Sequence, residues 1–259
     1  MQVNENIHII YHVAIIGNWR IVLKEQLNLI EKSGLGQAAT HIHLSAVGIR
    51  FPLERADIKE ALKKYSFKDK VSFSYKPSLT HYEIPSLLKV KEVAEHHPDA
   101  KLFYFHTKGV SHGYKTPQLE TPLSKHQVMC LKKWRDVMEF FNIIKWKECV
   151  AALEHFDCCG VEWGKKWWDK PAFFAGNFWW ASARYILSCN GPLIDRYDCE
   201  YLIGTGKGKT LNMFNSSTNP RLRAFLTEEE IAYRSAIYHG GELMWNYWDF
   251  EYKDEFFKV

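Results

Sequence analysis

The sequence predicts an α/β fold built on a mostly parallel sheet with helices on both faces, and three observations carry that expectation. Over the first hundred residues, strand-like apolar runs alternate with segments whose apolar residues recur at helical spacing. The 259 residues are 46% hydrophobic and 25% charged, enough to bury a substantial core, which excludes disorder, collagen-like repeats and a lone coiled coil. No internal repeat or low-complexity linker divides the chain, so a single domain over residues 1–259 is the simplest division.

Residues 7–16 form a nearly continuous Ile-rich run broken only by His8 and His12, and the run stops at Gly17-Asn18, a turn signal. A buried strand fits it. From Trp19 onward Leu23, Leu27 and Ile30 recur at helical spacing until Ser33-Gly34 supplies a C-terminal stop. Strands are expected over residues 41–47 and 70–75. Pro85 suits a first helical turn, and Leu87, Val90 and Ala94 carry that helix to a stop before Pro98. Residues 101–105 make a fourth strand that breaks into His106-Thr107-Lys108-Gly109. A polar loop with Pro117 and Pro122 then leads to Ser124, a helix cap, and Leu131, Trp134, Met138 and Phe141 mark the helix's apolar stripe. Another helix reads through Trp146, Val150 and Leu153. Two strands follow, over residues 157–163 and 173–181, and the chain beyond residue 204 shows no clear sheet pattern.

Charge and composition narrow the partners. The 34 basic and 30 acidic residues leave a net charge of +4 with no long block of one sign, which argues against a nucleic-acid arm. No run approaches the ~18 apolar residues of a membrane helix, and Glu5 and His8 stand where a signal peptide carries Lys or Arg. A soluble, cytoplasmic protein without a membrane span is expected. The six cysteines show no C-x-x-C pair and read as reduced core thiols. Aromatics reach 15%, with 10 Trp and 13 Tyr; core packing takes most, and the excess also suits stacking on sugar rings or bases.

In open parallel sheets ligands bind outside the carboxyl ends of the strands. Two loops stand there: Gly17-Asn18, and His106-Thr107-Lys108-Gly109, whose imidazole, hydroxyl, ammonium and flexible backbone suit a diphosphate. A basic surface turn is the competing reading. Arg135, beside the apolar stripe of the next helix, is either a phosphate ligand or an exposed helix cation. Gly109-Val110-Ser111-His112-Gly113 fits the G-x-S-x-G elbow of serine hydrolases, but residues 114–122 form a proline-broken loop where that elbow needs a helix. Residues 204–210 resemble a phosphate loop with Ile203 in place of its first glycine, and read better as a flexible, substrate-covering loop. The adjacent pairs His96-His97 and Cys158-Cys159 diverge, which argues against a zinc site. Within the aromatic run 173–181, Asn177 needs a polar partner and Gly176 lets something approach the backbone. Arg196, Asp198 and Glu200 crowd a short polar stretch, where a carboxylate serves as a general base or as a salt-bridge partner.

Taken in order, IHIIYHVAIIGNW at residues 7–19, YEIPSL at 82–87, FYFHTKG at 103–109, Trp134-Arg135, GNFWWA at 176–181 and CEYLIG at 199–204 resemble a family of small glycosyltransferases. That family occurs in bacterial polysaccharide loci and in large DNA viruses of algae, where it builds capsid glycans; xylosyltransferases are among the activities the likeness admits. The resemblance implies a GT-A-like, Rossmann-type mixed sheet, with residues 1–115 holding the nucleotide sugar and residues 116–259 the acceptor. It implies sugar transfer from a nucleotide diphosphate sugar, with UDP the expected nucleotide, to a glycan hydroxyl. In a viral setting the location would be the host cytoplasm.

On this reading Val13, Ala14, Asn18, Trp19, His106, Thr107, Lys108, Gly109 and Arg135 bind the donor. Glu162, Gly176, Asn177 and Trp179 bind the acceptor. Most GT-A enzymes carry Asp-x-Asp at the end of the fourth strand to hold a divalent metal, and this chain has none, His106-Thr107-Lys108 standing in its place. Lys108 and Arg135 are then expected to neutralise the leaving diphosphate, while a Mn or Mg ion held by a single carboxylate stays open. Glu200, after GNFWWA at the start of the next helix, is the expected base of an inverting displacement, with Asp198 its nearest competitor. A non-catalytic glycan-binding protein and a serine hydrolase are the alternatives.

Overall fold

The computed structural model describes residues 5–48, 53–110, 125–164 and 169–214. In chain order the elements are β1 (Ile7–Ile15), α1 (Trp19–Lys32), α2 (Leu35–Ala38), β2 (His41–Gly48), α3 (Leu53–Leu62), β3 (Val71–Lys76), α4 (Ile84–His96) and β4 (Lys101–His106). There follow α5 (Lys125–Glu139), α6 (Trp146–Ala152), β5 (Cys158–Val161), β6 (Trp163–Gly164), β7 (Phe173–Phe174), β8 (Trp179–Ser182), α7 (Ala183–Ser188), α8 (Arg196–Tyr201) and β9 (Thr210–Phe214). A turn of π-helix over Phe140–Ile144 joins α5 to α6.

Seven strands form one mixed sheet in the order β3-β2-β1-β4-β8-β5-β9. The first four run parallel, β8 is antiparallel to both its neighbours, and β9 runs parallel to β5. The parallel half is a Rossmann-like β-α-β series, and the sheet continues through β8, β5 and β9 to make one mixed α/β domain. Because β8 alone is reversed, the carboxyl ends of β1, β4 and β5 and the start of β8 lie along the same edge.

Period-two alternation along the central strands sends side chains to two cores. Ile9, Tyr11 and Val13 of β1, Phe103 and Phe105 of β4 and Trp180 of β8 pack on one face with α1, α5 and α6. Ile10, Leu102, Tyr104, Trp179 and Ala181 face the other way, against α4, α7 and α8. Burial on both sides is why these strands read as continuous apolar runs. The aromatic excess is spent here: Phe103 stacks on Phe105 at 4.8 Å and on Trp180 at 4.9 Å, Tyr11 on Phe105 at 4.2 Å, and Trp179 lies 5.1 Å from Tyr104. Each such ring removed from water stabilises the fold by about 1.5–3 kcal/mol.

The helices end where their local chemistry says they should. Val22, Leu23, Leu27 and Ile30 bury one face of α1, and Gly34, at φ 76°, takes the left-handed conformation that closes it. Pro85 sits in the first turn of α4, where a missing N–H costs nothing. Ser182 caps α7 by accepting from the Tyr185 amide, and Asp195 and Asp198 form a reciprocal capping box on α8.

Four expectations change. Residues 173–181 are not one strand: Gly176 at φ 89° and Asn177 at φ 60° turn the chain between β7 and β8, a conformation no strand contains. The region beyond residue 204 does contribute a strand, β9, paired to β5 at the sheet edge. Loop 204–210 is pinned rather than swinging, since the Lys209 amide donates to Asp157 Oδ2 at 2.7 Å and a Cβ on Gly204 would meet the Ala172 carbonyl. Helix α3 appears where no element is expected from the sequence; Ile58 and Leu62 are its buried aliphatic residues. The G-x-S-x-G serine and the Ser124 cap lie outside the described residues.

Candidate active site

The edge formed by the carboxyl ends of β1, β4 and β5 gathers most of the residues singled out from the sequence. At its centre the chain leaves β4 through His106, and Thr107 ties two strand ends together. The Thr107 amide donates to the His12 carbonyl at 3.0 Å, while its hydroxyl accepts from the Ala14 amide at 3.0 Å. Gly109 then takes φ 84°, a left-handed turn that suits glycine. The turn is thus braced from β1, as a loop that must hold a fixed shape against a ligand needs to be.

Lys108 and Arg135 sit side by side with different duties. The Lys108 ammonium lies 4.6 Å from the centre of the Trp134 ring. Arg135 is only 5% exposed, and its guanidinium is spent internally: Nη1 donates to the Lys108 carbonyl at 3.2 Å and Nη2 to Glu25 Oε2 at 2.5 Å. Its Nε lies 3.3 Å from the buried Glu139. Arg135 therefore shapes the turn from behind. Beneath it runs a network that the sequence did not announce. The Tyr11 hydroxyl donates to Gln26 Oε1 at 2.6 Å, and Gln26 Nε2 donates to Glu139 Oε1 at 2.8 Å and to the His106 carbonyl at 3.1 Å. Burial pushes the Glu139 carboxyl up to about 7 against the pull of Arg135.

On the opposite face of the sheet Glu83, the residue that opens α4, is the hub. Its Oε2 accepts from the Tyr104 hydroxyl at 2.6 Å and from Asn177 Nδ2 at 2.7 Å, and its Oε1 lies 3.7 Å from His106 Nδ1. Burial opposes its ionisation, but His106, His12, the Tyr104 hydroxyl and Lys108 outweigh burial and hold it at about 2. His106 Nε2 in turn donates to the Gly176 carbonyl at 2.8 Å. Asn177 also donates to the Cys199 carbonyl at 3.2 Å and accepts from Trp179 Nε1 at 2.8 Å. That settles its buried amide and fixes the left-handed turn to both β4 and α8. Glu83 lies within the YEIPSL segment of the resemblance, but its own sequence signal is only an acidic residue just ahead of a proline-opened helix.

The remaining expected residues fall into two groups. Glu200 on α8 is partly buried, engages no hydrogen bond or ion pair among the described residues, and its charge is felt at His106. Glu162 follows β5 at φ 55°, is buried, and its carbonyl accepts from the Ala175 amide, next to the Gly176 turn. Asn18 is exposed at the start of α1 and its side chain makes no capping bond. By contrast, Asp198 Oδ2 accepts from the amides of Ile194 and Asp195, a helix-capping duty. Val13 and Trp179 are fully buried and Trp19 is 3% exposed, so none of the three offers a side chain to a ligand; Trp179 cannot stack on an acceptor sugar. Gly176 is glycine because a Cβ would lie 2.2 Å from Met138 Sδ.

Five cysteines, Cys149, Cys158, Cys159, Cys189 and Cys199, are buried free thiols, and burial holds Cys158 at about 12. Among the described residues no three His, Cys, Asp or Glu side chains converge as metal ligands. No helix there is long and apolar enough to cross a membrane.

A family model described as a domain of unknown function (DUF8361) matches residues 12–196, over two thirds of the chain. The chain belongs to that family. No curated protein matches it. The DUF8361 match takes in the strand-end turn, Glu83, Arg135 and the Gly176-Asn177 turn, and stops at the first residue of α8, four residues before Glu200.

Proposed function

We propose that the protein is a glycosyltransferase that moves a sugar from a nucleotide diphosphate sugar to a hydroxyl of a glycan acceptor. The observation that carries this reading is a braced cationic turn, His106 to Gly109, tied through the Gly176-Asn177 turn to the Cys199 carbonyl, next to Glu200, whose side chain takes no hydrogen bond or ion pair among the described residues. The likeness of the HTKG and GNFWWA segments to the glycosyltransferase family described above supports it, as does a Rossmann-like sheet whose strand ends form the ligand edge.

In the proposed step Glu200 takes the proton of the acceptor hydroxyl as its oxygen bonds to the anomeric carbon. The bond from that carbon to the diphosphate oxygen breaks, and the electron pair leaves on the nucleoside diphosphate. The Lys108 ammonium and the strand-end turn stabilise the charge that develops there, Arg135 holds the turn in shape, and no step is assigned to a metal ion. The Gly176-Asn177 turn and Glu162 are the acceptor side.

A thermal-shift panel of nucleotide sugars tests the reading. A donor present at 100 times its Kd should add about 2.7 kcal/mol of stability, and the stabilising compound should be hydrolysed slowly without acceptor. Stabilisation by glycans alone, with no donor hydrolysis, would favour a lectin.

A further inference from the structure

His106 and Glu83 present an unusual pair of acceptors. The Gly176 carbonyl can only accept, so His106 Nε2, 2.8 Å from it, carries a proton. Burial lowers the pKa of the ring from its ordinary 6.5, which leaves the neutral form with a bare lone pair on Nδ1. That atom faces Glu83 Oε1 at 3.7 Å, a separation too long for a hydrogen bond, so no proton is shared between them. Oε2 of the same carboxylate takes both donors available to it, Tyr104 and Asn177, and Oε1 has none among the described residues. Two acceptors, one at the end of β4 and one at the start of α4, are thus held side by side by a built frame and lack donors among the described residues.

We propose that Glu83 Oε1 and His106 Nδ1 together receive two adjacent hydroxyl groups of a bound sugar. Neighbouring ring hydroxyls supply two diverging O–H donors, which matches two acceptors set slightly wider than a hydrogen bond. A single hydroxyl supplies one proton and leaves one acceptor bare, at the cost of an unsatisfied polar group. The pair makes Glu83 a specificity-determining residue, and the inference rests on the nucleotide-sugar reading. The diol is either that of the transferred sugar or that of the nucleotide's ribose.

Glu83→Gln is the discriminating change: its carbonyl can still accept from Tyr104 and Asn177, while its amide stands in the place of Oε1 and turns that acceptor into a donor, which breaks the pair. Calorimetric titration of the whole protein with UDP-glucose, UDP and 2′,3′-dideoxyuridine diphosphate reads the outcome. If the transferred sugar is held, the variant loses about tenfold or more in affinity for UDP-glucose and nothing for UDP. If the ribose is held, affinity for UDP-glucose and UDP falls together while the dideoxy compound is unaffected. Unchanged affinity for all three, in a wild type that binds them, overturns the pair and leaves the nucleotide-sugar reading standing. A wild type that binds none of the three, nor any nucleotide sugar of the thermal-shift panel, overturns both. Should Glu83→Gln fail to fold, His106→Gln serves, since its amide nitrogen can replace Nε2 toward Gly176 and leaves no acceptor in the place of Nδ1; the same outcomes decide.

Discussion

Arg135 Nη1 donates to the main-chain carbonyl of Lys108 across 3.2 Å, so the two cations expected to share one task divide it. Lys108 presents its charge, and Arg135, held by Glu25 and beside Glu139, sets the backbone that carries Lys108. The two truncations should therefore separate. Lys108→Ala removes an ammonium that lies over the Trp134 ring and should cost less stability than Arg135→Ala. Its transfer rate should fall by roughly ten to a thousand times. Arg135→Ala strands Glu139 in the core and should cost about 3–5 kcal/mol in urea unfolding. Equal stability of the two variants would show that Arg135 neither holds the turn nor compensates Glu139.

Stability should fall on both sides of a pH optimum, for opposite reasons. Glu139 titrates at about 7 when folded, raised from 4.5 by burial. Its contribution is complete below pH 4.5 and is lost as pH rises through 7. Glu139→Gln should flatten that limb of the Tm profile.

The acid limb belongs to histidines. Burial, aided by mutual repulsion among His8, His41, His43 and His97, lowers His8 to about 4 and His43 to about 3. Lys89 adds to the repulsion on His41 and His43, Asp99 opposes it at His8, and the His8 and His97 rings lie 4.5 Å apart. Stability from these groups is present above pH 6.5 and lost as pH falls through 4 to 3. His43→Gln should hold Tm better than the wild type between pH 5 and 3; an unchanged acid limb would show that the cluster does not govern it.

How much of this was legible in the sequence follows from burial. Strands covered on both faces, β1 and β4 above all, announce themselves as apolar runs, and α1 and α4 carry their own stop and start residues. β9 did not, because at the sheet edge four of its five residues are only partly buried. The Gly176-Asn177 turn reads as strand in the sequence because the aromatic residues on both sides of it mask a break that only the left-handed angles reveal. Glu83 and the Tyr11-Gln26-Glu139 chain were illegible for a different reason. Their partners are far away along the chain, as with Gln26 and Glu139, and no spacing records such a meeting.

Gly176 tests that turn directly. Gly176→Ala combines a positive φ with a Cβ 2.2 Å from Met138 Sδ and 3.3 Å from Trp134, and should cost about 2–4 kcal/mol by chemical denaturation. A loss below about 0.5 kcal/mol, the range of an ordinary surface change, would show that the turn relaxes freely.

Whether Glu200 removes the acceptor's proton is decided by comparing donor binding with transfer rate in Glu200→Gln. The variant should keep wild-type affinity for the nucleotide sugar and transfer at least about a hundredfold more slowly. Transfer at the wild-type rate, with product that keeps the donor's anomeric configuration, would contradict both the assignment of Glu200 and the inverting displacement.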